Sequence, residues 1–208
     1  MRRNALPILL TLALTLGCER APEADVPDTV ASDQATFRVV ELADGLEHPW
    51  GMTFLPDGAL LITERPGRLR IMRDGTLDPA PLEGVPEVYA SGQGGLLDVA
   101  LDPDFASNRL IYLSYAAQSD AGAGTRVARA RLGEGGLEDL EVIFEGLMAG
   151  GGRHFGSRLG FDPEGYLFVT LGERGQDERA QELGALAGKV VRLHPDGSVP
   201  EGNPFVGR

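Results

Sequence analysis

The chain has 208 residues, of which 31 are acidic and 19 are Lys or Arg, and its formal net charge at pH 7 is -12. A charge of this sign repels nucleic acid and anionic lipid headgroups, which argues against an electrostatic binder of either. One cysteine and three histidines rule out a disulfide framework and argue against a zinc site made by this chain alone.

The first seventeen residues have the pattern of an export signal. Arg2 and Arg3 precede an apolar run from Ala5 to Leu16, which is too short to span a bilayer. The ending Leu-Thr-Leu-Gly-Cys resembles a bacterial lipobox, so we predict a lipid on Cys18; the alternative is an ordinary signal peptide with a chance cysteine. We therefore expect an exported periplasmic lipoprotein anchored to the outer membrane. Residues 18–35, rich in Pro, Ala and acids, predict a flexible acidic tether.

From about residue 36 to residue 208 a strand-turn-strand phrase recurs. The first copy is WGMTFLPDGALLITERPGRLRIMRDG, the middle copy has TRVARARL (residues 125–132) as its third strand, and the last begins SRLGFDPEGYLFVTLGERG. Short β-rich segments divided by Pro-Asp-Gly turns are typical of antiparallel meanders. The turn prolines stand 47 and then 60 residues apart, about the length of a propeller blade.

This repeat decides between two all-β architectures. A β-sandwich also has short strands and Gly-rich turns, but it does not repeat a phrase. We therefore predict an all-β fold with about three blades of an incomplete β-propeller ring. The segment DERAQELGALAGK, residues 177–189, predicts a short helix in a blade loop.

Two polar residues occupy corresponding places in successive repeats. Gln93 lies ten residues before the turn proline of its unit, and His154 lies nine residues before the next one. If the strands that follow are innermost, the two side chains meet at one end of the central channel. An imidazole there can take a proton near neutral pH, and a glutamine can hold a hydroxyl-rich substrate, while Arg153 or Arg158 can meet carboxylates on a ligand. A histidine that only satisfies loop hydrogen bonds is the alternative, and the residue types leave it open.

The remaining candidates carry less chemistry. His48 precedes a strand start and His194 lies in a Pro-Asp-Gly turn, so we predict structural roles for both. Asp102-Pro-Asp104 is only the opening fragment of a calcium loop, because the glycine and glutamate of that loop are missing.

Four phrases in order then resemble a known family. They are LEHPWGMTFLPDGALLITER, GQGGLLDVALDPDF, HFGSRLGFDPEGYLFVTLGE and GKVVRLHPDGSVPEGNPF. Together they resemble the soluble PQQ-dependent sugar dehydrogenases, above all the periplasmic aldose sugar dehydrogenases of the glucose/sorbosone dehydrogenase family. The resemblance implies a six-bladed propeller that binds pyrroloquinoline quinone (PQQ) and calcium and oxidises the C1 hydroxyl of aldoses to lactones. It implies that His154 is the general base and that Gln93 helps to hold the sugar.

The chain departs from the family pattern in two places. Arg153 stands where the glucose dehydrogenases have an acid, although the aldose-type members also lack it. The family's calcium ligands and the basic residues that grip PQQ correspond to positions after Arg208, so we expect no metal ligand here and a fragment that is inactive alone.

Other readings of the same fold remain. A non-catalytic propeller used as a binding module is the alternative function, and a propeller lactonase would instead show inward-facing acids and asparagines. The particular sugar, the external electron acceptor and the formation of a homodimer stay open.

Overall fold

The computed structural model describes residues 29–206. The chain divides into two units, Met1–Glu41 and Leu42–Arg208. In the first unit the described residues form a small antiparallel hairpin of β1 (Val30–Ala31) and β2 (Thr36–Phe37). The predicted export signal, the predicted lipidation site at Cys18 and most of the predicted tether lie outside the described residues.

The second unit contains three antiparallel sheets in succession, and the first strand of each belongs to the repeated phrase. The first sheet consists of β3 (Pro49–Phe54), β4 (Leu60–Glu64), β5 (Arg68–Arg73) and β6 (Thr76–Leu77). The second consists of β7 (Leu96–Leu101), β8 (Leu110–Ser119), β9 (Gly122–Leu132) and β10 (Leu137–Glu145). The third consists of β11 (Gly156–Phe161), β12 (Leu167–Leu171) and β13 (Val190–Leu193). Each sheet is an up-and-down meander, as predicted for propeller blades.

The first strands of the sheets lie side by side. β3, β7 and β11 are each at the edge of their own sheet, and β7 contacts both β3 and β11. These three are therefore the inner strands. The loops that precede β7 and β11 contain Gln93 and His154, so both loops open at the same end of the inner strands.

A hydroxyl group repeats at one position in all three sheets. Each inner strand has a register shift near its start, and the N–H of a residue in that bulge donates to a hydroxyl on the second strand at 2.8 to 3.0 Å. The pairs, donor first, are Gly51 with Thr63, Asp98 with Ser114, and Arg158 with Thr170. Two of the hydroxyls also donate to the next sheet, Thr63 to the Leu97 carbonyl and Ser114 to the Ser157 carbonyl. These bonds fix the inner strands against one another.

The hydrophobic core lies between the sheets. Along β8, Ile111 and Leu113 pack against the first sheet, whereas Tyr112 between them packs against the third. The Tyr112 ring meets Phe161 edge-on, with centroids 5.0 Å apart. Strands buried on both faces read as continuous apolar runs, which explains the sequence LIYLSYAA. Each fully buried leucine or isoleucine contributes about 1.5–3 kcal/mol.

The first sheet also buries a carboxylate. Glu64 is fully buried and accepts hydrogen bonds from Arg68 at 2.7 Å and Arg70 at 3.3 Å and from the Glu47 N–H. Burial alone raises the pKa of Glu64, but these bonds outweigh burial, and the net pKa lies below its ordinary value. The carboxylate is therefore an ionised, structural group.

Helical structure is sparse among the described residues. α1 (Phe105–Asn108) fills the longer turn between β7 and β8. The helix predicted over residues 177–189 is a 3₁₀ helix over Asp177–Gln181 only. Gly184 and Gly188 disfavour continuation, and Gly188 adopts a φ of 61°. Within residues 29–206 no helix has the length and apolarity needed to cross a membrane.

Candidate active site

Two loops meet at the end of the inner strands. The Gln93 N–H donates to the Gly152 carbonyl at 2.7 Å, and the Gln93 side-chain Oε1 accepts from the His154 N–H at 2.8 Å. Gln93 thus binds the second loop with its backbone and with its side chain. The structure places the two residues predicted from the repeat in direct contact.

A glycine is required where the loops cross. Gly92 has a φ of 60°, and a Cβ there would run into the Gly152 carbonyl group. The first loop is held from beneath by Arg65, whose guanidinium donates to the carbonyls of Gly92 and Gly94. The close contact of the two loops therefore requires glycine at position 92 and is stabilised by the hydrogen bonds from Arg65.

His154 presents its ring to solvent in a left-handed backbone conformation. Its φ is 55°, and 45% of its side chain is exposed. The imidazole Nδ1 is hydrogen-bonded to Oε1 of Glu173, which also accepts from the Gly175 N–H at 3.0 Å. The bond to His154 is the main cause that lowers the pKa of Glu173 to about 2. The Glu173 carboxylate is thus ionised near neutral pH.

This pairing determines what the ring can do. An ionised carboxylate only accepts hydrogen bonds, so the Nδ1 that faces it is the protonated nitrogen of the neutral imidazole. The other nitrogen, Nε2, then has a free lone pair. The loop hydrogen bond at this residue uses its backbone N–H rather than its ring. An imidazole held in this way can act as a base that a carboxylate orients, which is a common catalytic pairing.

The neighbouring arginines have different surroundings. Arg153 lies against the backbone of Gly175, with guanidinium atoms 3.0 to 3.4 Å from where a Cβ would stand. Arg158 lies 4.2 Å above the Trp50 ring and pairs with Asp98 at 2.9 Å. Burial raises the pKa of Asp98, against hydrogen bonds from Leu159 and Arg158 that lower it. Arg158 therefore already meets a carboxylate of its own chain.

The other two histidines have contacts elsewhere in the chain. His48 accepts a hydrogen bond from Arg65 through its backbone carbonyl, at 3.1 Å. His194 forms the predicted turn with Ser198, and its ring lies 5.2 Å from that of Tyr166. Across the residues that the structure describes, no three or more His, Cys, Asp or Glu side chains are grouped as metal ligands would be.

Sequence reasoning missed Glu173 and its neighbour Arg174. A signal for the first was present in the hairpin register. Gly156 pairs with Leu171 across β11 and β12, and continuing that register two residues outward brings His154 opposite Glu173. Arg174 gave no comparable signal, because a pattern of charges does not reveal which charge is buried.

Known proteins were compared with this chain. A model of the family described as Glucose / Sorbosone dehydrogenase matches residues 46–208. The aldose sugar dehydrogenase YliI of Escherichia coli K12 is 49% identical over 177 residues, which cover 83% of this chain and 48% of that protein.

Solved structures of sugar dehydrogenases match this chain as well. A crystal structure of a glucose dehydrogenase matches with a TM-score of 0.78 and 51% identity, over 81% of this chain and 50% of that one. The PQQ-bound aldose sugar dehydrogenase of Streptomyces coelicolor matches with a TM-score of 0.72 and 35% identity, over 80% of this chain and 50% of that one. These matches confirm the predicted β-propeller class.

The chain spans about half the length of the curated relatives it matches. Within that half, the family match begins three residues before the first inner strand and includes both loops of the site. The chain belongs to the glucose/sorbosone dehydrogenase family.

Proposed function

We propose that the whole protein is a PQQ-dependent sugar dehydrogenase that oxidises the C1 hydroxyl of aldoses to lactones, with His154 as the general base. The observation that carries this proposal is the exposed imidazole whose Nδ1 is held by the Glu173 carboxylate. Membership of the family supports a dehydrogenase reaction, and the names of the relatives support an aldose as substrate and PQQ as cofactor.

The loops leave room for a flat cofactor. A Cβ placed on Gly150 or Gly151 would meet nothing within 4 Å, so the surface beside His154 is open and bare. The backbone of residues 150–152 and the imidazole would line a PQQ site on this chain. When bound, PQQ supplies a two-electron acceptor for hydride. Because the described residues group no metal ligands, we derive no step through calcium.

The chain's own residues account for the proton. Nε2 of His154 accepts the C1 hydroxyl proton of the sugar while the C1 hydrogen leaves with its electron pair. The C1–H and O–H bonds break and a C1=O bond forms, which gives the lactone. The imidazole becomes positively charged at this point, and the carboxylate of Glu173 compensates that charge. The exposed ring then returns its proton to water.

Gln93 has a divided role in this proposal. Its Oε1 is engaged by the His154 N–H, so its amide NH₂ is the part that remains to donate to a sugar hydroxyl. Gln93 would thus hold both the sugar and the loop that carries the base.

The test is PQQ-dependent dye reduction with an aldose, using the full-length protein. Replacing a general base lowers turnover by about 10²- to 10⁴-fold. We expect that loss for His154→Ala and near-normal turnover for His194→Ala, which removes a turn histidine. Unchanged turnover in His154→Ala would show that His154 is not the base.

A binding module of the same fold is the competing proposal. It predicts sugar or protein binding without PQQ-dependent turnover, and it requires neither the imidazole nor the carboxylate. The specific pairing of His154 with Glu173 favours the enzyme.

A further inference from the structure

Arg174 is an unusual residue in this structure because its charge is buried without a counterion. Only 5% of the residue is exposed, and its Nε and Nη1 atoms have no hydrogen-bond partner within the described part of the chain. No carboxylate of residues 29–206 forms an ion pair with it. Buried guanidinium groups are normally paired, so this one requires an explanation.

Two of the contacts that Arg174 makes are with the loop of His154, and a third is with the neighbouring strand β9. Its Nη2 donates to the Gly151 carbonyl at 2.6 Å and to the Ala123 carbonyl at 3.3 Å. Its guanidinium carbon lies 3.6 Å from the centroid of Phe155, the buried residue that follows His154. The side chain therefore touches the loop on both sides of the histidine.

The same side chain also fastens that loop to the second sheet. Ala123 belongs to β9 and exchanges two backbone hydrogen bonds of 2.9 Å with Ala149. Arg174 adds a bridge from Ala123 to Gly151, two residues further along. Gly150 and Gly151 have no side chains to pack, so this bridge restrains the glycine-rich part of the loop together with the bond from the Gln93 N–H to the Gly152 carbonyl.

Arg174 follows directly after the carboxylate that binds the imidazole. Its φ of 60° places it in a left-handed turn, with the Glu173 side chain 20% exposed and the Arg174 side chain buried. Two adjacent residues thus hold one loop. Glu173 binds the ring of His154, and Arg174 contacts the Gly151 carbonyl before the histidine and the Phe155 ring after it.

The electrostatic surroundings favour a functional origin for this burial. Burial lowers the pKa of Arg174, while the nearby Tyr89 hydroxyl and the Glu173 carboxylate oppose that effect without reversing it. Arg153 adds a second positive charge close by, against Gly175. Replacing buried charge with an apolar side chain of similar volume is often neutral or stabilising. An apolar replacement of Arg174 can therefore leave the global stability unchanged.

We propose that Arg174 is a positioning residue that holds the 149–155 loop in place and so sets where His154 stands. It touches neither the proposed substrate nor the proposed cofactor. The catalytic meaning of this inference rests on the proposed function, but the restraint on the loop does not.

The first experiment measures the loop directly, by amide hydrogen exchange of Arg174→Met in the full-length protein. The amides of Gln93 and His154 report on the loop contact, because both are bonded across it. Because the variant loses the charged hydrogen bond to the Gly151 carbonyl, these amides should exchange about tenfold faster or more. The strand amides of β8 and the melting temperature should stay unchanged, or the melting temperature should rise.

Arg192→Met is the matched control. Arg192 lies in β13, which pairs with β12, and its guanidinium also lies over an aromatic ring, that of Tyr166, at 4.7 Å. Its other contact is Asn203, outside the His154 loop. This variant should leave the exchange of Gln93 and His154 at the wild-type rate. Arg174→Lys keeps the charge but can supply only one compact donor group, so it should restore protection in part.

Each outcome decides the matter. Unchanged exchange at Gln93 and His154 in Arg174→Met overturns the proposal, and so does a uniform rise in exchange with a lower melting temperature, which marks ordinary structural support. Local loss of protection supports it. The kinetic arm is separate: kcat should fall in Arg174→Met with little change in KM. If the wild type shows no PQQ-dependent turnover, the proposed function fails while the exchange result still stands.

Discussion

The crossing of the two site loops allows one substitution to be worked through in detail. In Gly92→Ala the new Cβ would stand 3.0 Å from the carbonyl carbon of Gly152, whereas ordinary contacts begin at 3.4 Å. The loops must therefore separate by at least 0.4 Å (3.4 minus 3.0 Å), and more at the carbonyl oxygen. The bond from the Gln93 N–H ends on that oxygen, so it lengthens from 2.7 Å to more than about 3.1 Å, at or beyond the limit for such bonds.

The expected result is a loss of activity larger than the loss of stability. Misplacement of a catalytic group by about 1 Å lowers rates about 10²-fold, so we expect kcat/KM of Gly92→Ala to fall about ten- to a hundredfold. An alanine in left-handed backbone costs about 1 kcal/mol in addition. The assay is PQQ-dependent dye reduction, together with a urea unfolding curve.

Gly58→Ala separates the two effects. Gly58 also has a positive φ, 88°, but a Cβ there meets nothing within 4 Å. It should therefore show the same stability loss of about 1 kcal/mol with normal kinetics. If both variants keep wild-type kcat/KM, close contact between the loops does not position the base.

Three further predictions concern other parts of the structure. Glu64→Gln should lower the free energy of unfolding by about 3 kcal/mol at pH 7, while Glu47→Gln, at the exposed end of the same network, should lose under about 1 kcal/mol. Because the pKa of Glu64 is lowered in the folded state, the ionised carboxylate stabilises the fold above the ordinary carboxyl pKa, and this stabilisation is lost as the pH falls through the lowered value. The free energy of unfolding of Glu64→Gln should therefore fall less than that of the wild type between pH 6 and pH 3, as measured by urea titration. Glu173→Gln should reduce kcat by about 10²-fold without changing the melting temperature; an unaltered kcat would contradict its role in orienting the ring. Ser114→Ala should lower stability by about 2 kcal/mol in urea unfolding, because it leaves two buried backbone groups unpaired, and Ser107→Ala on the surface should be neutral.

Much of the fold could be predicted because the repeat and the turn residues are local signals. The Pro-Asp-Gly and Pro-Glu-Gly turns end the inner strands in the first and third sheets, and the phrase TRVARARL lies in β9, where a third strand was expected. The helix over residues 177–189 was predicted too long, since two glycines, Gly184 and Gly188, follow the 3₁₀ helix and interrupt it. Strand bulges and the hydroxyls that fill them were not predicted, because they depend on contacts between distant segments.

The site was predicted only as far as single loops allow. The position of Gln93 and His154 within the repeat placed them at one end of the inner strands, and the structure shows them in contact. Glu173 belongs to the loop after β12, and only the pairing register relates it to the histidine. Arg174 could not be identified because its burial is not visible in a pattern of charges along the sequence. The missing information in both cases is three-dimensional rather than chemical.

The hydroxyl bonds of Thr63 and Ser114 have a consequence for how this protein assembles. Both bonds point from one sheet to the sheet that follows it in the chain. The first two sheets are thus made with their donors in place and receive their acceptors only when later residues have been synthesised. Proteins built in this way behave as rows of units coupled to their nearest neighbours. We therefore expect the sheets to join in the order of translation.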